Sequence, residues 1–179
     1  MRIWRCLGLA ALLILSGCAL NPSVRTTTED NASLIFGFFD MKESPFELNC
    51  VKLTQGERSG IAYRQSCMTT YTGGLFFMEN IPPMEYHIPF FQAGGKLHMI
   101  SSSEKDLIKV PPKSLVYTGT FKYRVMDKNL AQVLKITPEK YGLDRVGSPG
   151  EKEVLKMLAK EVKDPRWKKR IQDRIGRLK

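Results

Sequence analysis

The stretch LVYTGTFKYRV, residues 115–125, alternates apolar or aromatic side chains with polar ones, and it decides the predicted fold. A period of two is typical of a β-strand that buries one face. The apolar or aromatic face comprises positions 115, 117, 121, 123 and 125 with Gly119 among them, and the polar face comprises Thr118, Thr120, Lys122 and Arg124. We therefore predict a half-buried strand along this stretch.

Similar strand signals extend over residues 33–137. The run SLIFGFFDM at residues 33–41 is dense in apolar and aromatic side chains that favour strands. LAQVLKI at residues 130–136 follows a turn at residues 127–129. Glycine and proline clusters separate further short segments at 73–74, 82–83, 94–95 and 111–112. Many short strands at this spacing predict a mainly β domain, an antiparallel β-sandwich.

The composition changes after this region. Residues 138–147 are predicted to form a loop. Ser148 and Pro149 then carry the signal of a helix start, Ser148 as the N-cap residue and Pro149 at the first helical position. Glu151 closes a capping box with Ser148. The sequence therefore predicts that a helical segment occupies residues 148–179.

Two apolar stripes follow within that segment. The first comprises Val154, Leu155, Leu158 and Val162, and the second comprises Trp167, Ile171, Ile175 and Leu178. Between them, Asp164-Pro165 ends one helical pattern and caps the next. We predict two amphipathic helices, or one helix kinked at Pro165, with the stripe that Trp167 heads packed against the sandwich or the preceding helix.

The same segment is strongly basic. Residues 151–179 contain eleven Lys or Arg against five Asp or Glu, a net charge of +6. One interpretation is a solvated helix face whose apolar side docks on the sheet. The other is contact with an anionic lipid surface or an acidic envelope protein. The residues predicted to make that contact are Lys168, Lys169, Arg170, Arg174 and Arg177.

Two cysteines, Cys50 and Cys67, flank the stretch VKLTQGERSGIAYRQS, in which Gly56 and Gly60 bracket a turn. A hairpin centred on that turn places Cys50 directly opposite Cys67, within reach of a disulfide bond. The alternative is two buried free thiols. We predict the disulfide, which suits an oxidising compartment.

The sequence contains few groups that could perform catalysis. Its histidines are His87 and His98, and it has no Gly-x-Ser-x-Gly motif and no phosphate-binding loop. Two histidines on neighbouring strands could form a metal site, and the alternative is two ordinary strand residues. We predict a protein that is not an enzyme and carries no cofactor. The competing hypothesis is a metal-dependent or hydrolytic periplasmic enzyme that uses His87 and His98.

The N-terminus, MRIWRCLGLAALLILSGC, combines two arginines with a short apolar run and small residues, as a secretory signal peptide does. Its end, Leu15 to Cys18, resembles the lipobox of bacterial lipoproteins. The resemblance implies that residues 1–17 are removed and that Cys18 carries lipid chains as the first mature residue. Because Ala19 rather than Asp follows Cys18, the resemblance implies the outer membrane. Residues 18–32 are polar and aperiodic, and we predict a flexible tether.

The stretch GGLFFMENIPPMEYHIPF, residues 73–90, resembles a motif of prealbumin-like, carboxypeptidase regulatory-like β-sandwich modules. Such modules carry a Phe-rich strand, an Ile-Pro-Pro turn and then a Tyr, here Phe76 and Phe77, Ile81 to Pro83, and Tyr86. The chain departs from the motif at Met84, where those modules usually have Gly. The resemblance implies a prealbumin- or immunoglobulin-like sandwich that serves as a binding or structural module.

Together these features predict a non-catalytic outer-membrane lipoprotein that faces the periplasm as a binding or assembly accessory. Its expected partners are the membrane, through the lipid on Cys18, and an anionic lipid or envelope protein, through the basic helices. Nucleic acid is not an expected partner, because the anchor places the protein in a different compartment. A further hypothesis is a structural tether joined to the cell wall through the terminal Lys179.

Overall fold

The computed structural model describes residues 23–24, 26–28, 30–55, 64–100, 107–125 and 141–178. Within this part of the chain lie ten strands and two helices. The strands are β1 Ser33–Asp40, β2 Leu48–Gln55, β3 Arg64–Thr70, β4 Leu75–Ile81, β5 Glu85–His87, β6 Phe90–Ala93, β7 Lys96–Met99, β8 Ile108–Lys109, β9 Leu115–Val125 and β10 Tyr141–Val146. The helices are α1 Glu151–Glu161 and α2 Pro165–Arg177. The prediction of a mainly β fold with C-terminal amphipathic helices is confirmed.

The strands form one curled sheet in the order β10-β9-β1-β4-β3-β2-β5-β8, with β6 added beside β2 and β7 beside β6. Strand β3 curls the sheet, because its first residues pair with β2 and its last two, Thr69 and Thr70, pair with β4. Strand β1 runs antiparallel to β4 but parallel to β9. The prediction of an antiparallel arrangement is therefore wrong for this pair. Parallel neighbours need a long connection, which strands β2 to β8 supply.

Strand β1 is buried on both faces, which accounts for its dense apolar sequence. Ile35 and Phe39 face the interior of the curled sheet, where they join a large apolar cluster. Leu34 and Phe36 face the other way and join a second cluster with α1 and α2. All four side chains are 0% exposed. The protein thus has two apolar layers that share β1 and β4.

Strand β9 changes the phase of its alternation at Gly119. The pairing of β9 with β1 shifts register between Phe36 and Phe38, and Gly119 has a φ of +107°. An extra residue in one strand turns every following side chain to the opposite face. Tyr117 therefore packs towards the helices and Phe121 towards the interior. The prediction that one face holds both residues is wrong.

Both faces of β9 are covered near Gly119, and two threonines that were predicted to face solvent are therefore buried. Thr118 and Thr120 are 8% and 0% exposed. The Thr118 hydroxyl donates to the carbonyl oxygen of Phe36 over 3.1 Å, and the Thr120 hydroxyl donates to that of Pro149 over 2.6 Å. Because each hydroxyl has an acceptor, its burial does not leave a polar group unsatisfied.

Strand β10 lies where a loop over residues 138–147 was predicted. It pairs antiparallel with β9 from Tyr141 opposite Val125 to Val146 opposite Thr120. Tyr141 and Leu143 pack against the interior cluster, so the strand has a short alternation of its own. The strand predicted over residues 130–136, with its turn at 127–129, lies outside the described residues.

Helix α1 begins at Glu151 rather than at Pro149, the predicted first helical position. Gly150 is the N-cap residue, and the Glu153 carboxylate accepts a hydrogen bond from the Gly150 N–H over 3.0 Å. A capping box between Ser148 and Glu151 is therefore wrong, since the same device operates two residues further on. The carbonyl oxygen of Pro149 accepts a hydrogen bond from the Thr120 hydroxyl, and this bond fixes the start of α1 to β9.

Helix α2 begins as predicted. The Asp164 side chain caps it by accepting from the Arg166 N–H over 2.8 Å, and Pro165 occupies the first turn. Residues 162–164 separate the two helices, so the alternative of a single kinked helix is excluded. No helix among the described residues is long and apolar enough to cross a membrane.

The residues before β1 are docked on the sheet. We call the described residues from 23 to 32 the leader. Val24 is 6% exposed, and its N–H donates to the Ser66 hydroxyl over 2.9 Å. The N–H of Thr27 donates to the carbonyl oxygen of Asn80 over 2.6 Å. Of the flexible tether predicted over residues 18–32, Val24 and Thr27 are held by backbone hydrogen bonds, whereas residues 18–22, 25 and 29 lie outside the described residues.

A disulfide bond joins Cys50 to Cys67, with Cα atoms 5.2 Å apart, and confirms that prediction. The predicted register is wrong, because Cys67 lies opposite Lys52 rather than Cys50. The two cysteines are diagonal neighbours, two positions out of alignment, and such residues share a face of the sheet. The bond ties β2 to β3 at the point where the sheet curls.

Candidate functional site

The helical segment accounts for +6 of the chain's net charge of +10, and its helices pack on the outer face of β1 and β4. Most of its apolar stripes is buried: Leu155, Leu158 and Ile171 are 0% exposed and Trp167 is 2% exposed, whereas Ile175 and Leu178 are half-buried. The prediction that Trp167 packs into the protein is confirmed. Burial of the stripes fixes how each helix is rotated, and so decides which basic side chains reach solvent.

Trp167 also fixes the start of α2 in position. Its indole N–H donates to the side-chain oxygen of Asn80, at the end of β4, over 3.1 Å. Asn80 has a φ of +59°, a left-handed conformation that asparagine tolerates better than most residues. Its backbone oxygen accepts the hydrogen bond from Thr27. One residue thus joins β4, the leader and α2.

Arg170 is directed towards the protein rather than outward. Its guanidinium lies 4.8 Å from the centre of the Trp167 ring, and it donates to the carbonyl oxygen of Ala32 over 3.3 Å. Cation–π stacking and the hydrogen bond together hold the side chain against the leader. The structure therefore does not support Arg170 as part of an outward-facing contact surface.

Arg174 joins the two helices to each other. Its Nε lies 3.0 Å from a carboxylate oxygen of Glu151, and a second hydrogen bond at 3.4 Å makes the pair bidentate. Beside it, the Lys152 ammonium donates to the carbonyl oxygen of Leu178 over 2.6 Å. Arg174 and Lys152 therefore secure the first turn of α1 against the end of α2.

The remaining predicted contact residues, Lys168, Lys169 and Arg177, are exposed. Within the described residues no carboxylate forms an ion pair with any of them. Further exposed lysines lie on α1 and in the turn that follows it, and no described carboxylate forms an ion pair with them. We call the following set the exposed lysines: Lys156, Lys160, Lys163, Lys168 and Lys169. The structure thus divides the basic segment into side chains with internal partners, namely Lys152, Arg170 and Arg174, and exposed side chains without an ion pair among the described residues, namely the exposed lysines and Arg177.

A cleft of about 350 Å³ lies between the sheet and the turn that joins the two helices. Burial raises the pKa of the Glu79 carboxyl above its ordinary value, and the nearby Asp164 carboxylate adds to the rise. Burial, followed by Glu161 and Glu79, also raises the pKa of Tyr71 in the same cleft. Its wall holds two carboxylates, Glu79 and Glu161, against one lysine, Lys163, so the cleft does not favour an anion.

The structure does not bring the two histidines together on one face. His98 is 7% exposed in the interior, stacked 4.8 Å from Phe91 and edge-on 4.7 Å from Tyr141, measured between ring centres. His87 follows the fully buried Tyr86 on β5, so it points to the opposite face of the sheet. Among the described residues, no group of three or more His, Cys, Asp or Glu side chains could hold a metal ion.

The Ile-Pro-Pro stretch forms a tight structural unit. Ile81 and Tyr86 are both 0% exposed in the interior cluster. The Tyr86 hydroxyl donates back to the carbonyl oxygen of Pro82 over 2.8 Å. Burial raises the pKa of Tyr86 strongly, so this hydroxyl remains a donor. The unit closes the end of the interior near Gln55.

Sequence reasoning missed Asn80, which organises this end of the protein. Its place between the apolar run of β4 and Ile81-Pro82-Pro83 was the available signal, because Asn is enriched where the chain turns left-handed. Cys18 and Lys179, the predicted lipidation and cell-wall residues, lie outside the described residues.

The described residues define a mainly β protein with a helical layer on one face of its sheet. Comparisons with protein-family models, with curated proteins and with solved structures gave no match to this chain. The case for its function therefore depends on its own residues.

Proposed function

We propose that the protein is a non-catalytic accessory module of the bacterial outer membrane, held by lipid on Cys18 and facing the periplasm. The lipobox-like stretch from Leu15 to Cys18 supports the anchor. Several acyl chains hold a protein stably at a bilayer, at ~0.8 kcal/mol per buried methylene group. The exported location agrees with the disulfide between Cys50 and Cys67.

One observation carries the choice of binding surface, namely the division between basic side chains that have internal partners and basic side chains that are exposed. A cation that already has an internal partner contributes less to an external anion than one that is free to meet it. Arg170 and Arg174 belong to the first kind, and Lys168 and Lys169 to the second. We propose that the exposed lysines contact an anionic surface, and that the two arginines stabilise the fold.

The fold also supports a binding role. We propose that the curled sheet belongs to the prealbumin-like sandwich group that residues 73–90 resemble. In support, Phe76, Ile81 and Tyr86 lie in the same interior cluster. The hydrogen bond from Tyr86 to Pro82 then holds the Pro-Pro turn against the strand that follows. Such modules present surfaces rather than reactive groups.

The anchor is tested in cells by the change Cys18→Ala. We expect acyl labelling to disappear and the protein to accumulate unprocessed or leave the outer-membrane fraction. Unchanged fractionation with retained acyl labelling would overturn the anchor.

The binding surface is tested with residues 18–179 carrying Cys18→Ser, a chain that contains every described residue. We expect sedimentation with vesicles of phosphatidylglycerol, weakening as salt increases. The double change Lys168→Glu and Lys169→Glu should weaken it about tenfold or more. The matched control, Lys42→Glu and Lys96→Glu, makes the same charge change on exposed residues at the other end of the sheet. If the two double substitutions weaken vesicle binding equally, net charge alone explains the binding, and a local contact surface on α2 is rejected.

A further inference from the structure

Very few residues lie between Cys18, the proposed site of the lipid anchor, and the first buried residue of the leader. Val24 is buried and hydrogen-bonded to Ser66, so only residues 19–23 separate it from Cys18. Six Cα steps span at most about 22 Å. If Cys18 is acylated, Val24 lies within that distance of the bilayer surface.

The leader reaches the sheet at one particular end, which we call the near end. Here β2 finishes at Gln55 opposite Arg64, and β1 starts at Ser33 opposite Ile81. The Arg64 guanidinium donates to the carbonyl oxygen of Ser23 over 3.3 Å, the first described residue of the leader. Ser23, the described residue nearest to Cys18 in the chain, therefore lies at the near end.

The far end lies at the other limit of the same strands. There β1 finishes at Asp40, and the N–H of Phe39 donates to the carbonyl oxygen of Gly74 in the turn between β3 and β4. A strand as long as β1 covers roughly 23 Å at ~3.3 Å per residue. The near end and the far end would therefore lie at clearly different distances from a membrane that holds the anchor.

The start of α2 belongs to the near end. Trp167 is hydrogen-bonded to Asn80, which also holds Thr27 of the leader. Lys168 and Lys169 follow Trp167 directly and are exposed. Arg177 lies about 13 Å from Lys168 along the helix axis, at ~1.5 Å per residue. That separation exceeds the screening length of ~8 Å at physiological ionic strength.

We infer that the near end of the domain faces the membrane in which the protein is anchored. In this orientation Lys168 and Lys169 contact the anionic headgroups around the anchor. The inference rests on the proposed acylation of Cys18. It adds to the proposed function an orientation and a partner, the membrane that holds the protein. The docked leader acts as a short spacer that keeps these lysines close to the headgroups.

Energy transfer in reconstituted vesicles tests this orientation. The full acylated protein is inserted into vesicles of phosphatidylethanolamine and phosphatidylglycerol that contain an acceptor-labelled lipid headgroup. A donor dye is attached to Gln172→Cys, exposed on α2, or to Thr72→Cys, exposed in the far-end turn. Because Cys50 and Cys67 are bonded to each other, the introduced thiol is the one that reacts.

We expect at least twofold higher transfer efficiency from position 172 than from position 72. Adding Lys168→Glu and Lys169→Glu should remove most of the difference, whereas Lys42→Glu and Lys96→Glu should preserve it. Transfer that is equal from the two positions, or higher from position 72, would overturn the orientation while leaving the anchor intact. Protein that carries no acyl chain would instead overturn the proposed function itself, and mass spectrometry of the sample separates the two results.

Discussion

The indole N–H of Trp167 donates to the side-chain oxygen of Asn80 over 3.1 Å, and the two residues are 87 positions apart in the chain. Asn80 also accepts a backbone hydrogen bond from Thr27. Helix α2 and the leader are thus both held by one residue at the end of β4. Changes at either partner should affect the stability of both the helical layer and the leader.

Replacing Trp167 by alanine should cost ~3–5 kcal/mol of unfolding free energy, because it removes a buried ring and leaves a cavity. Trp167→Phe keeps part of the ring and should cost clearly less. Chemical denaturation followed by far-UV circular dichroism measures both. If Trp167→Ala unfolds like the wild type, the helix does not depend on this packing.

Asn80 combines a side-chain hydrogen bond with a left-handed backbone, and two substitutions separate these roles. Asn80→Gly removes the hydrogen bond to Trp167 but keeps the conformation accessible, so we expect a loss of ~1 kcal/mol. Asn80→Ala also adds backbone strain of ~1–2 kcal/mol and should be the less stable variant. Denaturant titration of both variants makes the comparison. The reverse order would show that the backbone conformation contributes nothing.

The bond between Cys50 and Cys67 should stabilise the protein by roughly 3 kcal/mol in the chain-entropy model. Cys50→Ser with Cys67→Ser should therefore lower the unfolding free energy by about that amount. Thiol titration of the denatured, unreduced chain with Cys18→Ser should detect only the thiol of Cys6 where the signal peptide is retained, and none in the chain from residue 18. Two reactive thiols in that shorter chain would contradict the bond.

Gly37 lies at the centre of β1, where a methyl group would collide with the Thr118 hydroxyl and the Phe76 ring. We expect Gly37→Ala to cost ~1–3 kcal/mol or more, as overpacking of a core does. Gly147→Ala is the matched control, because its added methyl group meets no atom within 4 Å. Thermal unfolding of the two variants should differ widely, and similar melting temperatures would contradict the close packing of β1 on β9.

Glu79 makes the stability of the protein depend on pH. Its pKa in the folded protein is raised above the ordinary value of 4.5, first by burial and then by Asp164, while Arg166 opposes the rise. Its contribution to stability is therefore fully present below pH 4.5, where Glu79 is protonated in both states, and is lost as pH increases through the raised pKa. Glu79→Gln, which stays neutral, should melt higher than the wild type at pH 7.

The difference in melting temperature between Glu79→Gln and the wild type should become smaller as pH falls towards 4. Asp173→Asn, a change on the exposed side of α2, serves as the control for loss of one negative charge. A stability advantage of Glu79→Gln that is the same at both pH values would show that titration of this carboxyl is not the cause.

Local patterns predicted the elements that local forces shape. The alternation at residues 115–125, the cap at Asp164-Pro165 and the stripe led by Trp167 each lie in one short segment, and each corresponds to an element of the structure. The disulfide was predicted with the register off by two, and its Cα separation of 5.2 Å is shorter than the ~7–8 Å usual for diagonal neighbours, so the sequence pattern accounts for the pairing only in part.

Features set by distant partners could not be derived in this way. The bulge at Gly119 depends on how β9 meets β1, and β10 becomes a strand because the free edge of β9 accepts it. The leader is held by Ser66 and Asn80, which no local pattern connects to it. Likewise, only the fold shows that Arg170 stacks on Trp167 while Lys168 remains in solvent.

The position of β1 between β4 and β9 also sets the order in which the newly made chain can fold. Leu34 pairs with Leu115, roughly 80 residues later in the chain. At ~5–20 residues per second, ribosomes need several seconds or more to make that interval. Until then the apolar run SLIFGFFD lacks one neighbouring strand and both covering helices, and such runs are prone to aggregate. The strand most deeply buried in the finished protein is therefore the one that stays unprotected longest during its synthesis.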